Sequence, residues 1–250
     1  MAVTAPAALR GAIGFLTRLP VGHDDRAWAA FREHPVVLVL AGYVVGGLLV
    51  PALAVPLPAA AATLLYVGWV YAVTGINHLD GLADLGDALV VHGDADRRRA
   101  VMTDTTTGVG ALLAVGLVLA GLVLAGGAIA RAPLGAVGLV LAAEVAAKLG
   151  MAAVVCFGTA AHDGLGAQLT DRARARSFAW SALAAVPAAL ATWPRAAGAV
   201  ALAAGLGAAL LVLAWARARL GGVSGDVIGA ANEVGRVVAL HAGVVAWTRC

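Results

Sequence analysis

Lysine is almost absent from this chain. Lys148 is the only one among 17 basic residues, and arginine supplies the rest. Cysteine is nearly as scarce, with Cys156 and Cys250 alone, which excludes a disulfide framework and a thiolate metal site of the usual spacing. Charged residues make up 12% of 250 positions, against roughly 25% in soluble globular domains. With 62% hydrophobic residues, that shortage excludes an ordinary water-soluble fold. Aromatic residues are 5%, and no basic patch interleaves with them, so the net charge of +3 is not the footprint of a nucleic-acid binder.

Long apolar runs are what the chain has instead. Runs able to cross a bilayer, about 20 residues each, recur at 36–57, 59–76, 109–130, 134–157, 178–193 and 196–216, with a further candidate at 227–247. The expected fold is all-α: a polytopic integral membrane helical bundle of six or seven transmembrane helices, one domain over 1–250. Residues 1–35 form a cytoplasmic or interfacial N-terminal segment. The apolar patch between Arg10 and Arg18 is too interrupted for a secretory signal and reads as a short helix at the membrane surface, ended by Pro20.

The arginines orient the bundle, because positive charge collects in short cytoplasmic loops. Arg10, Arg18, Arg26, Arg32, Arg97, Arg98, Arg99, Arg172, Arg174, Arg176, Arg217 and Arg219 fall on one side of the seven runs, whereas the other side receives Arg131, Arg195 and Arg249. This predicts a multi-pass protein of the cell (inner) membrane with a cytoplasmic N-terminus. The same face carries every functional-looking stretch, including "CFGTAAHDGLGAQLTD" (156–171) and "GGVSGDVIGAANEVGR" (221–236).

Acidic residues are few and concentrated. Of 14 carboxylates, six (Asp80, Asp84, Asp87, Asp94, Asp96 and Asp104) lie within 75–110. If "NHLDGLADLGDAL" is helical, Asp80, Asp84 and Asp87 share a stripe some 60° wide at about 100° per residue. Carboxylates so placed repel one another unless a cation lies between them. Oxygen ligands without thiolates favour Mg²⁺ or Mn²⁺, and Mg²⁺ is commonly held by one or two carboxylates together with substrate phosphates. His78 precedes the stripe and is a candidate general base or phosphate contact. Asp94 and Asp96 read equally well as a solvated turn.

Downstream, Asp104 is a further candidate ligand. Arg97, Arg98 and Arg99 have two readings, a bidentate clamp for phosphate and a simple positive-inside anchor. In the 221–236 stretch, Asp226 and Glu233 are seven residues apart, on one helical face, with Gly229, Ala230 and Ala231 between them to allow close helix approach. That pair is a candidate to complete the metal site.

Five blocks in order along the chain resemble the cobalamin synthase family, the adenosylcobinamide-GDP ribazoletransferases: "FLTRLP" (15–20), "HLDGLADLGDAL" (78–89), "RRRAVMTDTTTGVGA" (97–111), "GLGAQL" (164–169) and "GGVSGDVIGAANE" (221–233). The chain departs from the pattern at Ala88, where glycine is usual, and at Thr106 and Lys148, where arginine is common, so no phosphate role is carried to those positions. The resemblance implies that adenosylcobinamide-GDP is joined to α-ribazole, or its 5′-phosphate, with release of GMP and a requirement for Mg²⁺. It implies Asp80, Asp84, Asp87 and Asp226 as Mg²⁺ ligands, Asp104 or Glu233 in support of a second ion, and His78 as an activator of the attacking hydroxyl. Competing readings are an intramembrane prenyltransferase, a CDP-alcohol phosphotransferase whose D-G-x-x-A-R signature fails at Asp84, and an ion-coupled transporter.

Overall fold

The computed structural model describes residues 5–22 and 24–249, so Cys250 lies outside it. Twelve α-helices run in chain order among the described residues: α1 (Ala5–Leu16), α2 (Asp25–Glu33), α3 (Val36–Ala54), α4 (Ala59–Thr74), α5 (Asn77–Val90), α6 (Ala95–Met102), α7 (Val109–Ala130), α8 (Gly138–Phe157), α9 (Leu165–Thr170), α10 (Phe178–Ala185), α11 (Ala197–Leu220) and α12 (Gly225–Arg249). No strand forms among them; one isolated bridge joins Ala160 and Val223.

The bundle is organised around α8. Its residues from Leu139 to Cys156 are buried apart from Leu141, and α3, α11 and α12 all pack on it. Small residues make that density possible, as in membrane bundles generally. A Cβ on Gly42 would stand 3.1 Å from the Glu144 carbonyl oxygen, and one on Gly205 would stand 2.8 Å from the Ala146 methyl and 3.0 Å from the Gly235 carbonyl oxygen.

Four helical segments are long and apolar enough to cross a bilayer: Val36–Ala54, Val109–Ala130, Leu134–Phe157 and Ala197–Leu220. A fifth exists if α4 and α5 are taken as one broken span, but the two meet at 97°. Six or seven were expected. The run at 178–193 has the composition of a span without its continuity, because α10 stops at Ala185 and passes into a 3₁₀ turn, Val186–Leu190. Helix α12 has the length, but Asp226, Glu233, Arg236 and Arg249 interrupt its apolarity.

Two of those charges, Glu233 and Arg236, have partners at the centre of the bundle. Arg236 donates to Glu144 Oε1 at 2.5 Å and to Glu233 Oε2 at 2.6 Å, and Lys148 donates to Glu144 Oε2 at 2.5 Å. All four side chains are sealed from solvent. Ionised groups at such depth persist only when paired and hydrogen-bonded, and here two acids balance two bases. The lone lysine is thus an internal counter-ion.

The N-terminal segment forms a cap beside the bundle. Helix α1 ends at Leu16, before Pro20 is reached, and α2 starts where the Asp24 carboxylate accepts from Arg26 N at 2.9 Å and Ala27 N at 3.3 Å. Phe15, Trp28 and Phe31 join the two helices through an aromatic cluster.

Candidate active site

Helix α5 turns away from α4 because Gly75 takes φ +71°, a conformation open to glycine and strained for other residues. Once turned, α5 is amphipathic. Leu82 and Leu85 are buried on one side, while the opposite side carries Asp80, exposed, and Asp84, half-buried. Helix α12 meets α5 backbone to backbone. A Cβ on Gly81 would lie 2.7 Å from Asp226 Cα, and one on Gly229 would lie 3.0 Å from His78 Cα. Two glycines, one on each helix, therefore set the register that brings Asp226 beside Asp80 and Asp84.

The electrostatics record that meeting. The Asp84 carboxyl is pushed up to about 6, by burial first and then by the charges of Asp226, Asp80 and Asp87. Asp226 is also raised, mainly by burial, with Asp80 adding to the effect while a hydrogen bond from Ser224 Oγ to Oδ2 at 3.2 Å and nearby His162 oppose it. No basic side chain forms an ion pair with Asp80, Asp84 or Asp226 among the described residues. Uncompensated like charges in a recess mark a functional site, because folding alone gains nothing from them.

Asp226 also lines a cleft of about 410 Å³ together with Ser224, His162, Asp96, Arg99 and Thr103. Its walls are α6, the 158–164 loop and the turn that leads from α11 into α12. Asp226 thus belongs both to the carboxylate group on α5 and to this cleft.

The remaining expected residues have other partners. Asp87 is buried and accepts from Gly108 N at 2.7 Å and Ala111 N at 2.9 Å, so it caps α7 instead of joining the open carboxylates. Glu233 is held in the central ion network by Arg236, with Asn232 Nδ2 at 2.9 Å and the Tyr71 hydroxyl at 3.4 Å. Neither side chain is open to a metal ion as placed. Asp104 stands apart in the exposed 103–108 loop and accepts from Thr106 N at 3.0 Å; that bond holds its carboxyl below the usual range.

His78 lies on a different side of α5 from Asp80 and Asp84. Its Nδ1 is 3.4 Å from Asn232 Nδ2, its ring meets Phe15 edge-on, and burial followed by the cations Lys148 and Arg236 pushes its pKa down to about 3. It faces the central network more than the carboxylates. The arginine triplet does not converge either. Arg98 is buried and donates to the carbonyl oxygens of Ala88 and Leu89, which closes the C-terminal end of α5. Arg99 bridges Asp96 and the Leu220 carbonyl, and of the three only Arg97 is exposed.

Among the described residues, no three His, Cys, Asp or Glu side chains converge tightly enough to hold a metal ion on their own. The donor set suits a different arrangement. Oxygen-only, half-buried and free of paired cations, Asp84 and Asp226 match the one or two carboxylates with which proteins commonly hold Mg²⁺ while substrate phosphates complete the shell.

Comparison with known proteins assigns the chain. It is 50% identical to the adenosylcobinamide-GDP ribazoletransferase of Halorubrum lacusprofundi, over 97% of this chain and 98% of that one. It is 46% identical to the protein of that name from Haloquadratum walsbyi, over 96% and 98%, and 35% identical to the one from Methanocella arvoryzae, over 96% and 97%. No solved structure matches it. A membrane helical bundle with an acidic recess, matched from residue 8 to residue 244 by the description of cobalamin-5-phosphate synthase, the chain belongs to that family.

Proposed function

We propose that this protein is an adenosylcobinamide-GDP ribazoletransferase, joining adenosylcobinamide-GDP to α-ribazole or its 5′-phosphate and releasing GMP in the assembly of cobalamin. The observation that carries the reading is the group of three carboxylates without ion-pair partners among the described residues, Asp80, Asp84 and Asp226, the last of which also lines the cleft. A diphosphate substrate brings anionic oxygens that carboxylates alone repel, so such a recess calls for divalent metal.

In chemical terms, a ribose hydroxyl of the acceptor attacks the phosphorus that bears the cobinamide arm, and GMP departs in line. Asp84 and Asp226 would hold Mg²⁺, with Asp80 at the exposed edge; when bound, the ion supplies charge neutralisation at the diphosphate. The protein's own work is positioning. The contacts of Gly81 and Gly229 fix α5 on α12, and Asp87 and Arg98 anchor the C-terminal half of α5 to its surroundings. Arg97, exposed at the start of α6, is the one member of the triplet free to meet a phosphate.

The distribution of arginines supports a cytoplasmic N-terminus, with the cleft on the same face of the inner membrane. The test is purified protein in detergent or liposomes with Mg²⁺, adenosylcobinamide-GDP and α-ribazole, measuring GMP and the corrinoid product together. Equimolar appearance of both is expected. GMP without a joined corrinoid would refute the reading, as would transfer from a prenyl diphosphate or a CDP-alcohol instead.

A further inference from the structure

We propose that His162 is the general base of the transfer, the group that takes the proton from the attacking hydroxyl. This rests on the ribazoletransferase reading above, and it moves the base from His78 to a residue in the cleft itself.

The loop that carries His162 is tied to the turn that carries Asp226. Ala161 N donates to the Val223 carbonyl at 3.0 Å, and Val223 N donates to the Thr159 carbonyl at 2.8 Å. The two segments lie so close that a Cβ on Gly222 would stand 2.5 Å from Thr159 O, and one on Gly166 would stand 2.5 Å from Val223 O. His162 and Asp226 therefore belong to one laced unit, and both line the cleft.

Within that unit a single hydrogen bond selects the tautomer. His162 Nδ1 lies 2.8 Å from the backbone carbonyl oxygen of Asp163. A carbonyl only accepts, so Nδ1 carries the proton, and the neutral ring keeps its free lone pair on Nε2. Gly164 has φ +153° and lies under the ring, where an added Cβ would be 3.6 Å from Cε1 and Nδ1. That backbone conformation, accessible chiefly to glycine, follows directly on the carbonyl that the ring engages.

The other titratable side chains of the cleft are already engaged. Asp96 is paired with Arg99, and Asp226 is bonded by Ser224 and belongs to the carboxylate group. His162 Nε2 has no partner among the described residues, and the side chain is exposed. His78 offers the reverse arrangement. The Asn232 amide must present its nitrogen to Glu233 Oε1 at 2.9 Å, so the same nitrogen donates to His78 Nδ1 and leaves the proton on Nε2. In that tautomer Nε2 of His78, the nitrogen away from Asn232, is a donor.

The step balances. The hydroxyl proton passes to His162 Nε2 as the oxygen forms its bond to the phosphorus bearing cobinamide. The bond from that phosphorus to the bridging oxygen breaks, GMP leaves with the electron pair, and the imidazolium returns its proton to water.

The experiment uses the full-length membrane protein with adenosylcobinamide-GDP and α-ribazole. His162→Ala and His162→Gln are expected to lower kcat by about 10²–10⁴-fold, the usual contribution of a positioned base, with KM for adenosylcobinamide-GDP little changed. Added imidazole should restore part of the Ala variant's turnover, and His162→Arg should be as slow as Ala. Arginine supporting near wild-type kcat would overturn the proposal by showing that a cation suffices, and so would unchanged turnover in the Ala variant. Should these variants fail to insert, ¹⁵N NMR of the wild-type ring decides: a protonated Nδ1 with bare Nε2 is expected, and the opposite tautomer overturns the assignment. Wild-type protein that makes no product from these substrates sinks the parent reading instead, while the NMR result stands independently.

Discussion

Replacing Gly81 by Ala tests whether the α5–α12 contact sets the geometry of the site. The new methyl would stand 2.7 Å from Asp226 Cα and 2.9 Å from Asp226 O, both backbone atoms with no rotamer to yield. Reaching ordinary contact at 3.4 Å requires the helices to part by about 0.7 Å at the point where Asp84 and Asp226 must act together. Overpacking of this kind costs about 1–3 kcal/mol of stability, and a displacement near 1 Å at a reacting centre costs up to roughly 10²-fold in rate. The expected outcome is a folded protein with lowered thermal stability in detergent and ribazole transfer down about 10–100-fold. Gly47→Ala and Gly68→Ala are the controls, since nothing lies within 4 Å of either added methyl. Both should be neutral or slightly stabilising, because alanine is the better helix former by roughly 0.5–1 kcal/mol. A Gly81→Ala protein with wild-type turnover and stability would refute the reasoning.

Further outcomes follow from other residues. The Asp84 carboxyl is raised from 3.8 to about 6, so without metal the folded protein binds a proton there between those values that the unfolded chain does not; stability of the metal-free protein should fall as pH rises through 6, and Asp84→Asn should remove that slope in thermal unfolding. In the same range the proton competes with metal, so apparent Mg²⁺ affinity in the transfer assay should weaken as pH drops below about 6. Asp87→Ala removes two bonds to the start of α7 and should cost about 0.5–2 kcal/mol while leaving Mg²⁺ affinity unchanged in titrations of turnover. Glu144→Gln leaves Arg236 and Lys148 without their shared carboxylate, and a loss of about 3–5 kcal/mol should appear as failed membrane insertion or collapse of the unfolding transition.

The shared face of the α5 carboxylates was legible in the sequence because a four-residue spacing survives folding. Asp80 and Asp84 share one side of α5 as expected, and Asp226 joins them through small residues visible as Gly81 and Gly229. The roles of Asp87 and Glu233 were not legible. Each has the right residue type and helical phase, but its partner lies far along the chain: the backbone at Gly108 for one, and for the other a network reaching Glu144 and Lys148 on α8. The Glu144–Lys148 spacing of four and the Glu233–Arg236 spacing of three were the available signals for that network.

His78 stands on another side of α5 from the carboxylate stripe. Two residues before Asp80 is close in sequence but far around a helix, where two steps turn about 200°. His162 left almost no mark, since its significance depends on one carbonyl and on a loop tied to a turn sixty residues later. The run at 178–193 is divided between two helix types; hydropathy reports composition and is blind to the change from α-helix to 3₁₀ after Ala185.

The central claim is that Asp84 and Asp226 together grip a divalent ion that also holds the diphosphate. Manganese electron paramagnetic resonance on the purified protein, with adenosylcobinamide-GDP present, addresses it directly. Bound Mn²⁺ is expected in the wild type, strengthened by the diphosphate and lost in both Asp84→Asn and Asp226→Asn, with the variants still folded. Undiminished Mn²⁺ binding in either variant would contradict it.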